Sequence, residues 1–365
     1  MKKLLAILVL GIGIVLSIPK SVQAVGTCNV TVDGSYGFPN KIHYCNDDDE
    51  MEISVTMTRN WALADLNTNT ANNVSITITA TGSMLSNKNS ASAITGNGTD
   101  GATIVNAGTV RGGSNTINFN TGTNLTVTNQ SGGEILAWDN EQASRNTAIK
   151  ANATGFTLNN SGDITATGIN TILTGENSTI INNSGGTIQG DRYGINGTGT
   201  NSGTSSTITN SGNIYGTTNR AIYINGSNYT ITNQSGGLIR AGSDGSTNTS
   251  HVLAVEAGSS GDNLTLDNYG TITAASNTIK TSSTGMTVTN YSGGTISGTG
   301  DGSTLKTIFV VGDNNTIENY GTISGAGDTN SINVDSGITG TNIIIHGAST
   351  ITGEIDLEST ATAIT

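Results

Sequence analysis

The chain repeats one pattern of polar and apolar positions nine times between residues 103 and 323. Each copy has Thr, an aliphatic residue, any residue and Asn, followed shortly by Gly and by Ile or Val. Alternating polar and apolar residues are typical of a half-buried β-strand, so each copy predicts one strand that ends in a turn. The repeated Asn residues are Asn106, Asn129, Asn160, Asn182, Asn210, Asn233, Asn268, Asn290 and Asn319.

The turn after the Asn has two forms that alternate strictly, N-x-G-x-[IV] and N-x-S-G-G-x-I. Successive Asn residues are 22 to 35 residues apart, a spacing typical of solenoids, and the additional residues fall in the same half of each pair. If each unit is one coil, the longer loops would project from alternate coils along one edge of the solenoid.

The strand prediction fixes which side chains face inward. Residues two and four positions before each Asn share a face with it, and we expect this face to point into the solenoid. The Asn side chains would then stack at an inner corner and hydrogen-bond to one another, because a buried amide without partners is costly. The outward column is Thr103, Thr126, Thr157, Thr179, Thr207, Thr230, Thr265, Thr287 and Thr316.

Each coil also has a second apolar segment, such as residues 221–224 or 308–311. Together with the strand around the Ile or Val after the Gly, this segment gives about three strands per coil. No segment has a helical period. The sequence therefore predicts an all-β chain folded as a parallel β-helix of about 10–12 coils, rather than helical or leucine-rich repeats.

Four segments follow from these patterns: a signal peptide at 1–24, an N-terminal cap with degenerate first coils at 25–95, β-helix repeats at 96–357, and a C-terminal tail at 358–365. A solenoid needs a cap because an uncovered terminal coil exposes its core and its unpaired strand edges.

Within the predicted cap, Met51 to Met57 alternates as one strand, and residues 74–79 resemble a degenerate coil. Trp61 and Leu63 would cover the open end of the solenoid.

The signal-peptide prediction rests on Lys2 and Lys3, an apolar run over residues 4–18, and a small-x-small cleavage site ending at Ala24. It predicts export by the Sec route to the cell surface, outer membrane, extracellular space or periplasm. A retained N-terminal anchor is the alternative. Cleavage would remove three Lys and no acids, taking the formal net charge from −12 to −15.

Cys28 and Cys45 are the only cysteines, and in an exported chain they predict one disulfide that closes a small loop in the cap. A metal pair is the alternative, with its remaining ligands from His43 and the acidic run at residues 47–50. That run predicts either a solvated turn or a calcium site.

The composition of the chain limits which classes of partner are expected. Only 11% of residues are charged, the pI is near 4.5, and no basic stripe is visible along the sequence. A nucleic-acid partner is therefore not expected. No sequence motif predicts a cofactor, and His43, His251 and His346 are too far apart in the sequence to predict a metal site.

Two groups of acids are candidates for catalysis, which in glycoside hydrolysis requires two nearby carboxylates. Asp139 and Glu141 lie beside Trp138 and near Arg145, in the long insertion between Ile135 and Thr157. Trp138 either stacks on a sugar or holds this loop against the rod.

Asp267 and Glu318 occupy the outward position just before the Asn, two coils apart, with Thr289 between them and no flanking Arg or His in the sequence. The other acids, such as Glu134 and Asp163, are scattered along the sequence. Flat Thr arrays also occur in ice-binding solenoids, but the second Thr of the pair is replaced in five coils.

The leader followed by repeats such as Asn160-Ser161-Gly162-Asp163-Ile164, and the closing stretch Thr352 to Leu357, resemble the passenger region of bacterial autotransporters of type V secretion. The resemblance covers about residues 95 to 357. It implies a right-handed parallel β-helix, and a membrane β-barrel that follows the passenger or is supplied as a separate partner. The N-terminal secretion domain of two-partner filamentous haemagglutinins is the other family considered, but residues 25–100 show no convincing match to it.

Passengers of this kind include adhesins, enzymes and rods without a known role. We expect a non-enzymatic surface or secreted passenger, an adhesin-like binding or structural rod for host-cell, surface or glycan ligands. The alternative is a polysaccharide-active lyase or glycoside hydrolase.

Overall fold

The protein is a parallel β-helix built from three long sheets. A computed structural model describes residues 50–54, 56–59, 64–65, 72–86, 91–138, 146–198, 205–242, 252–300, 305–325, 330–358 and 361–365. Every strand pair in these residues is parallel, and the chain passes from the first sheet to the second and then the third in each coil. The predicted all-β solenoid with three strands per coil is confirmed.

The first sheet contains 13 strands, one for each repeat of the pattern with further strands at both ends. They are β1 (Glu50–Ile53), β4 (Ser75–Ile78), β8 (Thr103–Asn106), β12 (Thr126–Asn129), β15 (Thr157–Asn160), β18 (Thr179–Asn182), β21 (Ser206–Asn210), β24 (Tyr229–Asn233), β27 (Thr265–Asn268), β30 (Thr287–Asn290), β33 (Thr316–Asn319), β36 (Thr339–Ile345) and β39 (Ala361–Ile364).

The second sheet follows the Asn turn and has 12 strands. They are β2 (Thr56–Arg59), β5 (Ser83–Ser86), β9 (Thr109–Gly112), β13 (Glu134–Ala137), β16 (Asp163–Ala166), β19 (Thr187–Gly190), β22 (Asn213–Gly216), β25 (Leu238–Ala241), β28 (Thr271–Ala274), β31 (Thr295–Gly298), β34 (Thr322–Ser324) and β37 (Thr350–Thr352).

The third sheet also has 12 strands, and a separate two-stranded sheet pairs β7 (Thr99–Asp100) with β11 (Gly122–Thr123). The third-sheet strands are β3 (Ala64–Asp65), β6 (Ile94–Thr95), β10 (Asn115–Phe119), β14 (Thr147–Ala151), β17 (Asn170–Thr174), β20 (Tyr193–Gly197), β23 (Arg220–Ile224), β26 (Val255–Ala257), β29 (Ile279–Thr281), β32 (Lys306–Val310), β35 (Asn330–Val334) and β38 (Glu354–Leu357).

Stacking at one strand spacing per coil makes the 13 strands of the first sheet about 60 Å long. The core is one continuous apolar cluster along this length, with columns of Ile, Val and Leu from all three sheets. Most strands of the first two sheets alternate between partly exposed and buried residues, as the sequence predicts. No helix long and apolar enough to cross a membrane occurs in the part of the chain that is described.

Glycine is required where successive coils approach most closely. After each repeated Asn, one Gly lies against the backbone of the preceding coil, and a Cβ on Gly212 would lie 2.3 Å from the carbonyl oxygen of Gly186. A side chain at this position would therefore push neighbouring coils apart.

The corner before the first sheet turns through a left-handed residue that the sequence reasoning did not identify. Two positions before the repeated Thr, the chain has a positive φ at Asn124, Asn177, Asn228, Asn263 and Asn314, and at Gly101, Gly155 and Gly285. Asn and Gly tolerate this conformation better than other residues. The signal was present as an Asn or Gly column in the sequence.

The prediction of one strand from Met51 to Met57 was wrong. The chain leaves the first sheet after Ile53 and enters the second sheet at Thr56, so β1 and β2 belong to different sheets. Each is held by the next coil, β1 pairing with β4 and β2 with β5. Residues 74–79 do contain a first-sheet strand, β4. Trp61, Leu63, the signal peptide, Cys28 and Cys45 lie outside the described residues.

The coils also continue past the predicted end of the repeats. Within the predicted tail, β39 pairs with β36 and extends the first sheet beyond Leu357.

The longer connections do not all join the same two sheets. Residues 139–145, 243–251 and 301–304 connect the second sheet to the third, whereas 199–204 connect the third sheet to the first. The prediction that the longer loops share one edge was therefore wrong for 199–204.

Candidate functional site

The nine repeated Asn side chains form a hydrogen-bonded ladder at the corner between the first and second sheets. In every step the Nδ2 of one Asn donates to the Oδ1 of the Asn in the next coil over 2.8–2.9 Å. All nine residues are fully buried. The predicted inward stacking of the Asn column is confirmed.

The ladder amides also donate hydrogen bonds to backbone carbonyl oxygens in and after the turns. Asn210 Nδ2 donates to the carbonyl oxygens of Gly212, 3.1 Å away, and of Leu238 in the next coil, 3.2 Å away. Because each amide bridges two coils, the ladder fixes the register in which the strands stack. That register in turn aligns the outward side chains into straight columns.

The outward face of the first sheet carries the Thr column and no basic residue. Every repeated Thr is partly or fully exposed, and all the residues just before them in the chain are buried. The 13 strands contain no Lys or Arg. The predicted outward direction of the Thr column is confirmed.

Toward the C-terminal end, four successive coils have an aromatic residue at one position, which follows the ladder Asn in three coils and Ile345 in the fourth. Tyr269, Tyr291, Tyr320 and His346 form an aromatic column. Their rings are nearly parallel, with centroids 4.1 Å, 6.2 Å and 3.7 Å apart in that order. Offset stacks of this kind contribute about 0.5–1.5 kcal/mol per pair beyond burial of area. The four rings therefore stack along the rod, one ring per coil.

Glu318 is hydrogen-bonded to this column. Its Oε1 accepts from the hydroxyl of Tyr320 at 2.5 Å and lies 2.9 Å from Nε2 of His346. The Tyr320 bond, followed by the His346 bond, lowers the pKa of Glu318. The same contact raises the pKa of Tyr320. Glu318 is therefore held as a carboxylate.

Asp267 has the opposite environment. Burial raises its pKa, and a hydrogen bond with Tyr291 partly offsets that rise. A hydrogen bond with Tyr269, together with burial, raises the pKa of Tyr291 to about 12. Asp267, Thr289 and Glu318 lie in register on adjacent strands, so the two carboxylates are about 10 Å apart by strand spacing. Their environments move the two pKa values in opposite directions, which is a property of acid and base pairs in enzymes.

The sequence reasoning was wrong that no His flanks this pair. His346 lies 28 residues after Glu318 but follows it by only one coil, because Ile345 pairs with Asn319. The aromatic residues after successive ladder Asn residues were the available signal.

A second group lies on the outward face of the third sheet. Arg220 Nε donates to a carboxylate oxygen of Glu256, and Lys280 Nζ lies 3.6 Å from the other oxygen. The Glu256 side chain is only 7% exposed, whereas that of Lys280 is 31% exposed. Glu256 is thus covered by the two cations that it holds in place.

Two tyrosines complete this group. The Tyr193 and Tyr223 rings stack with centroids 5.7 Å apart, and the Arg220 guanidinium lies 5.7 Å from the first ring and 5.1 Å from the second. Burial raises the pKa of Tyr223, and the Glu256 charge raises it further. Tyr223 is therefore a neutral phenol. We call Tyr193, Arg220, Tyr223, Glu256 and Lys280 the third-sheet cluster.

The third-sheet cluster was not predicted, because its members are separated by connections of different length. Arg220 and Glu256 are 36 residues apart, with the long connection 243–251 between them. No fixed spacing in the sequence marks the pair. Their meeting follows only from the strand register, which places Tyr223, Glu256, Lys280 and Phe309 in one column.

The other predicted acidic group, Asp139 with Glu141, lies outside the described residues, as does Arg145. Trp138 is described and is 37% exposed. The Arg111 guanidinium lies 3.8 Å from the centroid of its ring, so the ring contacts the preceding coil.

Two acids that appeared scattered are in fact neighbours. Glu134 and Asp163 pair in register on adjacent strands of the second sheet, and both are exposed.

Among the described residues, no three His, Cys, Asp or Glu side chains are grouped as a metal site requires.

Comparisons of the chain with protein-family models, with curated proteins and with solved structures gave no match. The candidate sites therefore rest on the geometry of this chain alone.

Proposed function

We propose that the protein is a non-enzymatic, exported β-helical passenger that acts at the cell surface or after secretion as an adhesin-like binding rod. The observation that carries this proposal is the register fixed by the Asn ladder, which repeats outward side chains at one strand spacing over about 60 Å. Repetition of this kind suits an extended partner.

Affinity in such a rod arises from many weak contacts. A single Thr hydroxyl contributes little to binding, because it exchanges one hydrogen bond with water for another. When many contacts form simultaneously along a rigid array, each later contact forms at a high effective concentration. The overall affinity can therefore exceed the affinity of a single contact by orders of magnitude. The rigidity supplied by the ladder keeps these contacts in phase with a repetitive ligand.

The test is a binding measurement in parallel with an activity measurement. The purified chain is applied to arrays of neutral and acidic glycans and to intact cells, and the same glycans are assayed for new reducing ends and for unsaturated products. We expect binding without cleavage. Cleavage of any bound glycan at enzymatic rates would contradict the proposal, and so would the absence of binding to every surface.

Polysaccharide cleavage at the Asp267 and Glu318 row is the second candidate function. It is favoured by the opposite pKa shifts of the two carboxylates and by the hydrogen bonds on Glu318. Their separation of about 10 Å is slightly larger than the 6.5–9.5 Å of inverting glycosidases. If this candidate is correct, Asp267→Asn and Glu318→Gln each abolish glycan cleavage, whereas the matched variant Glu134→Gln, on another sheet, does not.

A further inference from the structure

We propose that the outward face of the third sheet binds an acidic polysaccharide. The inference rests on the proposed function and names the face and the ligand class. Its basis is an uneven distribution of charge. The chain has a formal net charge of −12, yet five of the seven Lys and Arg residues with described side chains lie on or next to third-sheet strands. These five residues, the cationic face, are Lys150, Arg192, Arg220, Lys280 and Lys306.

This distribution corrects the expectation that the chain has no basic stripe. In the sequence, successive cations of this face are 26 to 60 residues apart, whereas in the fold they fall on a stretch of seven coils. Lys150 lies in the same outward column as Tyr223 and Lys280, and Lys306 lies in the adjacent column. From Lys150 to Lys306 is about 30 Å along the rod.

Aromatic rings are interleaved with the cations. Lys306 Nζ lies 4.5 Å from the centroid of the Phe309 ring, and Arg192 lies 5.5 Å from that of Tyr193. Tyr193, Tyr223 and Phe309 are partly exposed. Rings offer apolar area with little conformational entropy, while Arg and Lys bind carboxylate or sulfate groups through charge-assisted hydrogen bonds. A polymer that alternates apolar sugar surface with anionic groups matches both features.

Glu256 preorganises part of this face. It holds Nε of Arg220, while Nη1 of Arg220 contacts Tyr193 and Asn219. Nη2 has no hydrogen-bond partner among the described residues. Lys280, which is more exposed, shares the same carboxylate at a longer distance. The cations are therefore positioned before a ligand arrives, which lowers the entropic cost of binding.

Charge density favours a polysaccharide over a nucleic acid. Asp191 directly precedes Arg192, and on the strands themselves Lys150, Arg220, Lys280 and Lys306 against Glu256 leave about one net positive charge per 10 Å of the face. Duplex DNA carries about one negative charge per 1.7 Å and would meet mostly unneutralised repulsion from an acidic protein. A polyuronate or a sparsely sulfated glycan, with one charge per one or two sugars, matches the face more closely.

The test compares two double variants of the full chain that remove the same charge. Lys280→Gln with Lys306→Gln alters the cationic face, and Arg111→Gln with Arg240→Gln alters the second sheet. Binding to polygalacturonate, dextran sulfate, neutral dextran and a duplex DNA oligomer is measured by calorimetry at two salt concentrations. Circular dichroism and thermal melting check that each variant is folded.

We expect the first variant to weaken polygalacturonate or dextran sulfate binding about fivefold to tenfold, because it removes two partly exposed ion pairs with the polymer. The second variant should change it less than about twofold. Equal weakening by both variants would overturn the assignment to this face. Tighter binding of DNA than of either acidic polysaccharide would overturn the ligand class.

The two proposals fail differently. If the chain binds neutral glycans or cells but no acidic polysaccharide, the inference is wrong and the binding rod stands. If it binds no glycan and no cell surface, the proposed function fails as well.

Discussion

The first and third sheets share the same length and the same parallel stacking but differ in what they carry. The first sheet repeats Thr outward and Asn inward in nine consecutive coils and has no basic residue on any strand. The third sheet has a different residue in almost every coil of its outward column, and it carries Arg220, Lys280 and Lys306. The uniform sheet sets the register, and the varied sheet presents individual chemistry.

The difference shows that the fold constrains the residues of the first sheet more strictly than those of the third sheet. A ladder works only if every coil contributes the same group, because each amide is a partner for the next. A recognition face has no such requirement. The strongest sequence signal in the chain therefore marks what holds the rod together, and we locate acidic-polysaccharide binding where the repeat is weakest.

The largest expected effect comes from breaking the ladder. Asn210→Leu removes one of the acceptors of Asn182 Nδ2 and takes the Asn210 donor from Asn233 Oδ1. It also removes that donor from the carbonyl oxygens of Gly212 and Leu238. Each unsatisfied buried group costs about 1–3 kcal/mol, so we expect a loss of about 2–5 kcal/mol in the free energy of unfolding. Denaturant unfolding of the variant and of Thr207→Ser, on the outward face of the same strand, measures it. Thr207→Ser should cost less than about 1 kcal/mol. Equal losses would show that the inward and outward faces are assigned wrongly.

The close approach of coils gives the next effect. Gly212→Ala places a Cβ 2.3 Å from the Gly186 carbonyl oxygen, and relief of the overlap requires a backbone shift. Such overpacking costs about 1–3 kcal/mol. Gly347→Ala is the matched control, because nothing lies within 4 Å of its Cβ position and no positive φ is required there. Melting temperatures of the two variants that agree with each other would contradict the close-approach argument.

The smallest effect concerns the aromatic column. Tyr320→Phe removes the main cause of the lowered pKa of Glu318, so that pKa should rise toward the ordinary value for glutamate. A carboxyl with a lowered pKa stabilises the fold above its unfolded-state pKa, and this stability is lost as pH falls through the folded-state pKa. The variant should therefore lose part of the contribution of Glu318 at neutral pH and show a weaker dependence of stability on pH in the acidic range.

An NMR titration of the Glu318 carboxyl measures that shift directly. Tyr215→Phe, on the second sheet, is the control and should leave the titration unchanged. The stability linked to Asp267 has the opposite pH dependence to that linked to Glu318. Burial raises the pKa of Asp267, so the stability linked to this carboxyl increases as pH falls. A Glu318 pKa that is the same with and without the Tyr320 hydroxyl would contradict the hydrogen-bond explanation.

Most of the first sheet could be predicted from the sequence, because the Thr, aliphatic and Asn columns are each local and repeated. The ladder followed from one physical argument, that a buried amide needs partners. The left-handed Asn and Gly corner was equally local but was not identified. The division of residues 51–57 between two sheets was wrong because alternation alone does not reveal a turn.

The candidate sites could be predicted only in part. Asp267 and Glu318 were found because they share a column of the repeat, but the His346 contact was not, because that coil replaces the Asn with Ile345. The Arg220 to Glu256 ion pair and the cationic face depend on which coil follows a connection of variable length. Register, rather than residue spacing, determines these contacts.

Hydroxyl-radical footprinting with and without polygalacturonate tests the contrast between the two faces most directly. Tyr223 and Phe309 report on the third sheet, and Tyr269 and Tyr320 report on the corner beside the first sheet. We expect the ligand to protect Tyr223 and Phe309 from oxidation and to leave Tyr269 and Tyr320 unchanged. Protection of Tyr269 and Tyr320 instead would place polygalacturonate on the uniform side of the rod and contradict its assignment to the third sheet.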